Sequence, residues 1–287
     1  MASLRSRMID QMKLRNLRPK THEAYLRAVT GLAKFYDKSP DQLDSAQVQA
    51  YLVHRIDEGL AWSSINVAVC GIRFLYDHVL EWEPTKLVIP PRKRPTQLPE
   101  ILSGAEVERL FAATENIRHR LMLMTAYSAG LRVSELVRLR VPDVDSDRML
   151  IRVEQGKGDK DRYTLLSERV LAELRSYWRR FRPASWFFPG MIPGNPVCES
   201  TAQRVYYKAR KKAGIKKGGG IHTLRHSFAT HLIEAGVDVT IVQQLLGHRS
   251  VLTTMRYVHV SRKLIGQTRS PLDLLRIPTE APPDDPA

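Results

Sequence analysis

IHTLRHSFATHL, residues 221–232, places Leu224, Phe228 and Leu232 four residues apart and so reads as a helix packed along an apolar face. Four ionisable side chains, His222, Arg225, His226 and His231, share its three turns. His222 and Arg225 are three apart, so a helix projects both from one side towards a single anion. A solvated amphipathic helix with unconnected histidines is the plainer alternative. His222 and His226 also have the i, i+4 spacing of zinc ligands. That reading fares poorly, because Thr223 stands where a general-base glutamate belongs and Arg225 sets a fixed cation beside the would-be dication.

Downstream, LLGHRSVLTTMRYVHV (245–260) has Gly247 to end one helix and Ser250 to cap the next, leaving His248 in the tight connection. Tyr257 follows nine residues later. Upstream, GLRVSEL (130–136) carries Arg132 where a glycine break and Ser134 suggest a helix start, with Glu135 able to pair with a nearby cation or simply to face solvent. Between them MLIRV and YTLL flank EQGKGDKDR, a hairpin turn with Lys157 at its tip and Lys160 close by.

The rest of the chain sets the context. Forty-five lysines and arginines against 30 acids give a formal charge of +15, which points to a polyanion, nucleic acid first among them. Cys70 and Cys198 have no metal-like or framework spacing and read as small core residues of a protein kept reduced. No apolar run approaches the roughly 20 residues of a membrane span, and MASLRSRMIDQ lacks an apolar signal core, so a soluble cytoplasmic protein is expected.

Residues 1–88 read as a helical bundle: Tyr25, Val29, Leu32 and Tyr36 share a face behind Thr21 as cap, and Val48, Tyr51, Leu52 and Ile56 run to a stop at Gly59. A further helix from Ser63 or Ser64 carries Ile72, Leu75 and Tyr76. Residues 89–100, with their prolines and Arg92, Lys93 and Arg94, form a basic linker suited to phosphate contacts. The second domain, 101–277, opens on the capping box of Ser103 and Glu106, passes the hairpin, and is helical again from Glu168 onward. Residues 278–287 read as a disordered tail. The fold class is therefore mainly α with a small β-sheet.

GLRVSEL, GKGDKDR, HTLRHSFATHL, LLGH and RYVHV, in this order and spacing, resemble the tyrosine recombinase (phage integrase) family, most closely its Xer-type and integron-type members. The resemblance covers residues 3 to 273. It implies an N-terminal core-binding (SAM-like) domain and a catalytic domain forming a C-shaped clamp around double-stranded DNA. It further implies a site-specific recombinase working through a 3′-phosphotyrosine, with no metal ion or other cofactor. Tyr257 would be the nucleophile and Arg132 and Arg225 the phosphate clamp. Lys157 would protonate the leaving 5′-oxygen, and His222 and His248 would assist. Glu135 is a supporting residue, while His226 and His231 are not carried over and are expected to satisfy hydrogen bonds within helix packing.

Four protomers would act on two duplexes, with a second recombinase or accessory protein as a further partner. Leu272, Leu274, Leu275 and Ile277 would dock on a neighbour or on their own chain. QRVYYKARKKAGIKK (203–217) adds seven cations and no acid, with Lys208, Lys211 and Lys212 as candidate DNA contacts. Two alternatives stand beside this reading. GVDVTIVQQLLGH could belong to a non-enzymatic helix-turn-helix regulator, and a type IB-like topoisomerase would share the nucleophile.

Overall fold

The computed structural model describes residues 3–82, 99–154 and 161–258. Lys157, Lys160, Arg92, Lys93, Arg94, the apolar residues Leu272, Leu274, Leu275 and Ile277, and the tail 278–287 lie outside the described residues. The protein is mainly α-helical with one small antiparallel sheet, and the chain divides into two compact units, Met1–Gln97 and Leu98–Ala287.

The first unit holds α1 (Leu4–Leu14), α2 (Pro19–Tyr36), α3 (Ser45–Asp57) and α4 (Trp62–His78). Met8, Met12, Leu32, Val48, Leu52, Ile72 and Leu75 make its core. Capping is local chemistry here. The Ser6 N–H donates to Ser3 Oγ, and Asp44 and Gln47 cap each other's backbone at 2.8 and 3.0 Å. Helix α2 does not start at Thr21. Arg18 is its N-cap, because Pro19 supplies a pre-set φ at the first helical position. Helix α4 begins at Trp62, ahead of both serines.

The second unit runs α5 (Gly104–Ala112), α6 (Ile117–Ser128), α7 (Val133–Val137), β1 (Val144–Asp145), β2 (Leu150–Val153), β3 (Arg162–Leu165), α8 (Glu168–Phe181), α9 (Glu199–Lys212), α10 (His222–Glu234), α11 (Val239–Leu246) and α12 (Val251–Val258). The expected hairpin is β2–β3, with Ile151 opposite Thr164, and β1 adds a third strand through Val144 opposite Ile151. Helix does not continue unbroken after Glu168. Four prolines, Pro183, Pro189, Pro193 and Pro196, hold the chain between α8 and α9 irregular, with isolated bridges pairing Pro189 with Pro196 and Trp186 with Arg140.

Helix α10 is buried on nearly all sides, with Thr223, Leu224, Arg225, Ser227, Phe228, Ala229, Thr230 and Ile233 enclosed. It packs against α6, α11 and α12. A central helix has no solvent face on which to place its charges, so Arg225 must be paired inside. Thr164 Oγ1 donates to Ala129 O at 2.8 Å, fastening the sheet to the chain just before Arg132. There Gly130 takes φ +57°, and a Cβ on it would meet Phe228 of α10 at 2.4 Å, so only glycine lets the two segments approach. Among the described residues, no helix is long and apolar enough to cross a membrane.

Candidate active site

Glu135, in the first turn of α7, is the hub. Its carboxylate, with the side chain 6 % exposed, accepts from the Arg132 backbone N–H at 2.8 Å and from the Arg132 guanidinium at 2.7 Å. Arg162, the last residue of GKGDKDR, donates to both oxygens at 2.8 and 2.7 Å, and Arg225 lies 3.8 Å away. Glu135 thus faces inward; the solvent-facing alternative does not hold. Three guanidinium charges against one carboxylate leave a net +2. An excess of fixed positive charge in a partly dry site is what an incoming anion would neutralise.

Burial by itself pushes the Glu135 carboxyl up. The hydrogen bonds and charge of Arg162, with the backbone and charge of Arg132, reverse this and hold it at about 2.

Arg225, 4 % exposed, is held by α10 with its fork turned to the ends of two other elements. It donates to Gly130 O at 2.7 Å, to Leu246 O at 2.5 Å and to His248 Nε2 at 3.2 Å. Arg132 donates to Gly247 O at 3.4 Å. Arg132 and Arg225, 93 positions apart in sequence, therefore meet around one carboxylate and one helix end. Burial, and then Arg132 alongside, lower the Arg225 pKa to about 9 while Glu135 opposes them, so the guanidinium is charged at neutral pH.

Gly247 closes α11 in the left-handed conformation at φ +63°. A Cβ there would strike Arg162 Cδ at 2.7 Å, so the glycine both ends the helix and leaves room for the arginine. His248 follows in the connection, as its sequence position suggested, and Ser250 caps α12 through Leu252 N at 3.3 Å. With Nε2 accepting from Arg225, His248 keeps its proton on Nδ1 and donates it to Thr254 Oγ1 at 2.9 Å.

Tyr257, on α12 and 4 % exposed, closes the group. Its ring stacks on His248 at a centroid distance of 6.3 Å and 17° between planes. Its hydroxyl lies 3.0 Å from His226 Nδ1. Burial raises the phenol's pKa, while Arg225, Arg256 and Arg132 pull it down. His222, at the start of α10, opens to solvent. Its pKa is lowered by loss of water around the ring and by Arg225 and Arg132, which places it beside the same cations.

The described residues thus bring together Arg132, Glu135, His222, Arg225, His248 and Tyr257. Sequence reasoning missed Arg162, Thr254 and the position of His226. Arg162 carried a signal, as a cation inside the quoted GKGDKDR segment, but its partner on another element did not. His231 is engaged in packing as expected, through Tyr127 Oη at 2.8 Å. Of the candidate DNA contacts on α9, Lys208 and Lys211 are exposed on one face with Arg204 and Tyr207, and Lys212 is ion-paired with Glu115. Cys198 is no core residue: it is exposed at the start of α9, near Ser200 Oγ and Thr201 Oγ1, and Cys70 is half-buried. Among the described residues no cluster of His, Cys, Asp and Glu is placed to hold a metal ion.

Two of these histidines set an acid limit on the fold. Burial first, then His222 and the nearby arginines for His226 and Arg225 and Arg132 for His248, lower His226 from 6.5 to about 4 and His248 from 6.5 to about 3. In the unfolded chain both take up protons as the pH falls through 6.5; in the fold they do not, so the unfolded state gains. Stability is expected to decline from just below pH 6.5, by up to about 2.7 kcal/mol per pH unit while only the unfolded chain protonates both rings. Thermal unfolding between pH 7 and 4.5 tests this. A midpoint that stays level across that range contradicts it.

Residues 100–263 match the phage integrase family, and residues 4–85 match the N-terminal SAM-like domain of phage integrases. A Sinorhizobium fredii protein named as an integrase/recombinase, y4qK, is 42 % identical over 286 residues, covering 99 % of this chain and 92 % of its own. In fold, the chain is similar to the XerH site-specific recombinase bound to its difH substrate, with a TM-score of 0.71 at 20 % identity over 93 % of this chain and 84 % of that one. It is similar also to a lambda integrase tetramer bound to a Holliday junction, with a TM-score of 0.71 at 20 % identity over 89 % and 77 % of the two chains. The family match spans more than half of the sequence, and the Sinorhizobium relative aligns with nearly all of it: the chain belongs to the phage integrase family of tyrosine recombinases.

Proposed function

We propose that this recombinase cleaves and rejoins double-stranded DNA at specific sites, with Tyr257 attacking the scissile phosphorus to leave a 3′-phosphotyrosine and a free 5′-hydroxyl. The observation that carries the assignment is the convergence of Arg132, Arg225, His248 and the Tyr257 phenol around the Glu135 hub. Arg132 and Arg225 stabilise the negative charge that develops on the non-bridging oxygens, and Glu135 with Arg162 keeps both guanidinia in place. His222 and His248 hydrogen-bond the phosphate, and Lys157 protonates the departing 5′-oxygen. Energy of the broken phosphodiester is retained in the phosphotyrosine, so religation needs no nucleotide.

Residues 101–277 form the catalytic domain on this reading, and residues 1–88 a core-binding domain joined to it by the basic linker 89–100. The exposed Lys208 and Lys211 of α9, with Arg92, Lys93 and Arg94, meet the DNA backbone. Strand exchange proceeds in a tetramer on paired sites, a reading supported by the likeness to the lambda integrase assembly. The chain acts in the bacterial cytoplasm on the nucleoid. The regulator suggested by GVDVTIVQQLLGH gives way to this reading, since α11 buries Val242 and Leu246 and its last carbonyls, Leu246 O and Gly247 O, accept from Arg225 and Arg132.

A nicked suicide substrate carrying the recombination site of a relative traps the intermediate, because the released strand diffuses away. The expected result is an adduct that survives denaturing electrophoresis and that, after nuclease trimming and proteolysis, places the phosphodeoxynucleotide on the peptide containing Tyr257. Attachment to Tyr207 or Tyr163, both exposed, rejects the nucleophile named here.

A further inference from the structure

Two histidine rings lie against the Tyr257 phenol, and they are not equivalent. His248 stacks on it face to face at 17°, with Nε2 taken by Arg225 and Nδ1 by Thr254, so neither nitrogen is free for the hydroxyl. His226 meets the phenol at a tilt of 42°, its Nδ1 3.0 Å from the oxygen. It sits one residue after Arg225 on the most enclosed helix of the unit, so neighbouring turns fix its ring. The charged groups facing it are His222, Arg225 and Arg256, and those facing the phenol are Arg225, Arg256 and Arg132. All are cationic or neutral. They favour a phenolate over a phenol and an uncharged ring over an imidazolium.

We propose that His226 is the catalytic base of strand cleavage, taking the phenolic proton of Tyr257 on Nδ1 as the phenol oxygen bonds to phosphorus. The proposal rests on Tyr257 being the nucleophile. In the cleavage step the Tyr257 oxygen–phosphorus bond forms and the phosphorus–O5′ bond breaks. The electron pair stays on O5′, which takes a proton from Lys157, and the phenolic proton passes to His226. Religation runs the reverse course: the 5′-hydroxyl attacks, the tyrosyl oxygen leaves, and His226 returns the proton it held. Burial and the neighbouring cations lower the ring's pKa to about 4, which keeps it unprotonated and ready to accept at neutral pH. A buried imidazolium among arginines is a strained product, so the proton goes back readily, as a reversible exchange requires.

The test compares wild type with His226→Gln, which can hydrogen-bond the phenol but cannot carry its proton. Single-turnover cleavage of the suicide substrate is followed from pH 6.5 to 10, with folding checked by thermal unfolding. The variant is expected to be about 10²–10³-fold slower at pH 7. The gap should narrow steadily as the pH rises towards 10, because a growing share of the phenol then ionises unaided even though burial raises its pKa. A 5′-bridging phosphorothiolate, whose leaving thiolate needs no proton, should restore Lys157→Ala and leave His226→Gln slow. Where His226→Gln does not fold, rescue of His226→Ala by free imidazole, rising with its unprotonated concentration, reads the same role. A defect that is constant across the pH range, or a rate within threefold of wild type, overturns the proposal. If the wild type itself forms no adduct on Tyr257, the nucleophile assignment fails instead.

Discussion

Arg225→Ala is expected to slow DNA cleavage by at least about 10³-fold while the dissociation constant for duplex DNA changes only a few-fold. One fixed donor at a developing oxyanion is typically worth about 10²–10³ in rate, and Arg225 supplies more than a donor. It joins Gly130 O, Leu246 O and His248 Nε2, so its loss releases the α6–α7 turn, the end of α11 and the orientation of His248 together. The two carbonyls left without a donor each cost about 1–3 kcal/mol where water cannot replace the guanidinium. Arg225→Lys separates the two contributions. A lysine keeps the charge but not the fork that spans three acceptors, so cleavage should still fall by about 10²-fold with a smaller loss of stability. Binding is spared because phosphate contacts spread over many surface cations dominate affinity, and a 4 % exposed side chain is not among them. Fluorescence anisotropy, single-turnover cleavage and urea unfolding measured on the same preparations decide it. Arg225→Lys cleaving within a factor of ten of wild type would mean that charge alone suffices at this position.

What could be read from the sequence was mostly what is local. The capping box of Ser103 and Glu106, the stop at Gly247 and the cap at Ser250 each join side chain and backbone within a few residues, and each is present. Glu135 beside Arg132 belongs to the same class. Helix α10 was legible as a helix but not as the centre of the unit, because periodicity identifies an apolar stripe and this helix is enclosed all round. Strand β1, two residues long, is too short to leave an alternation to detect, and it exists because Val144 pairs with Ile151. The chain after α8 is irregular because its prolines forbid the helix that the pattern from Glu168 onward suggests.

The site itself depends on topology. Arg162 reaches Glu135 from 27 positions away and Arg225 from 90, distances that no spacing rule spans, so order-specific motif resemblance was what joined Arg132 and Arg225 in advance. His226 shows the limit of that route. Packing was a fair expectation for it, and its partner proved to be the one phenol in the site.

Glu135→Ala is expected to destabilise the second unit by about 3–5 kcal/mol, enough to remove much of the 5–15 kcal/mol typical of a domain. Exposed ion pairs give no such effect. The pair of Lys212 with Glu115 has side chains 55 % and 82 % exposed and should be worth less than about 1 kcal/mol. Glu135 differs in that it is 6 % exposed and answers three guanidinia, two of which, Arg162 at 9 % and Arg225 at 4 %, cannot turn to water when it goes. Its removal leaves cations in a dry site with no counter-charge. Replacing a whole buried ionic group by apolar residues can be neutral, but removing one member is not.

The pH behaviour of the wild type follows from the same carboxylate. Its folded pKa is depressed from 4.5 to about 2, so its stabilisation is complete above about pH 4.5 and is lost as the pH falls towards 2, a window that overlaps only the acid end of the range in which the histidines act. At pH 7 a Glu135→Gln variant therefore lacks the full charge contribution. Its single amide oxygen can replace only part of the hydrogen bonding, which places its loss between wild type and alanine. Sulfate should partly restore Glu135→Ala and leave a Lys212→Ala variant unchanged, because a divalent anion can enter the gap among the arginines. Urea unfolding with and without sulfate measures this directly, and a Glu135→Ala midpoint within about 1 kcal/mol of wild type would show that Glu135 is not what holds the arginines together.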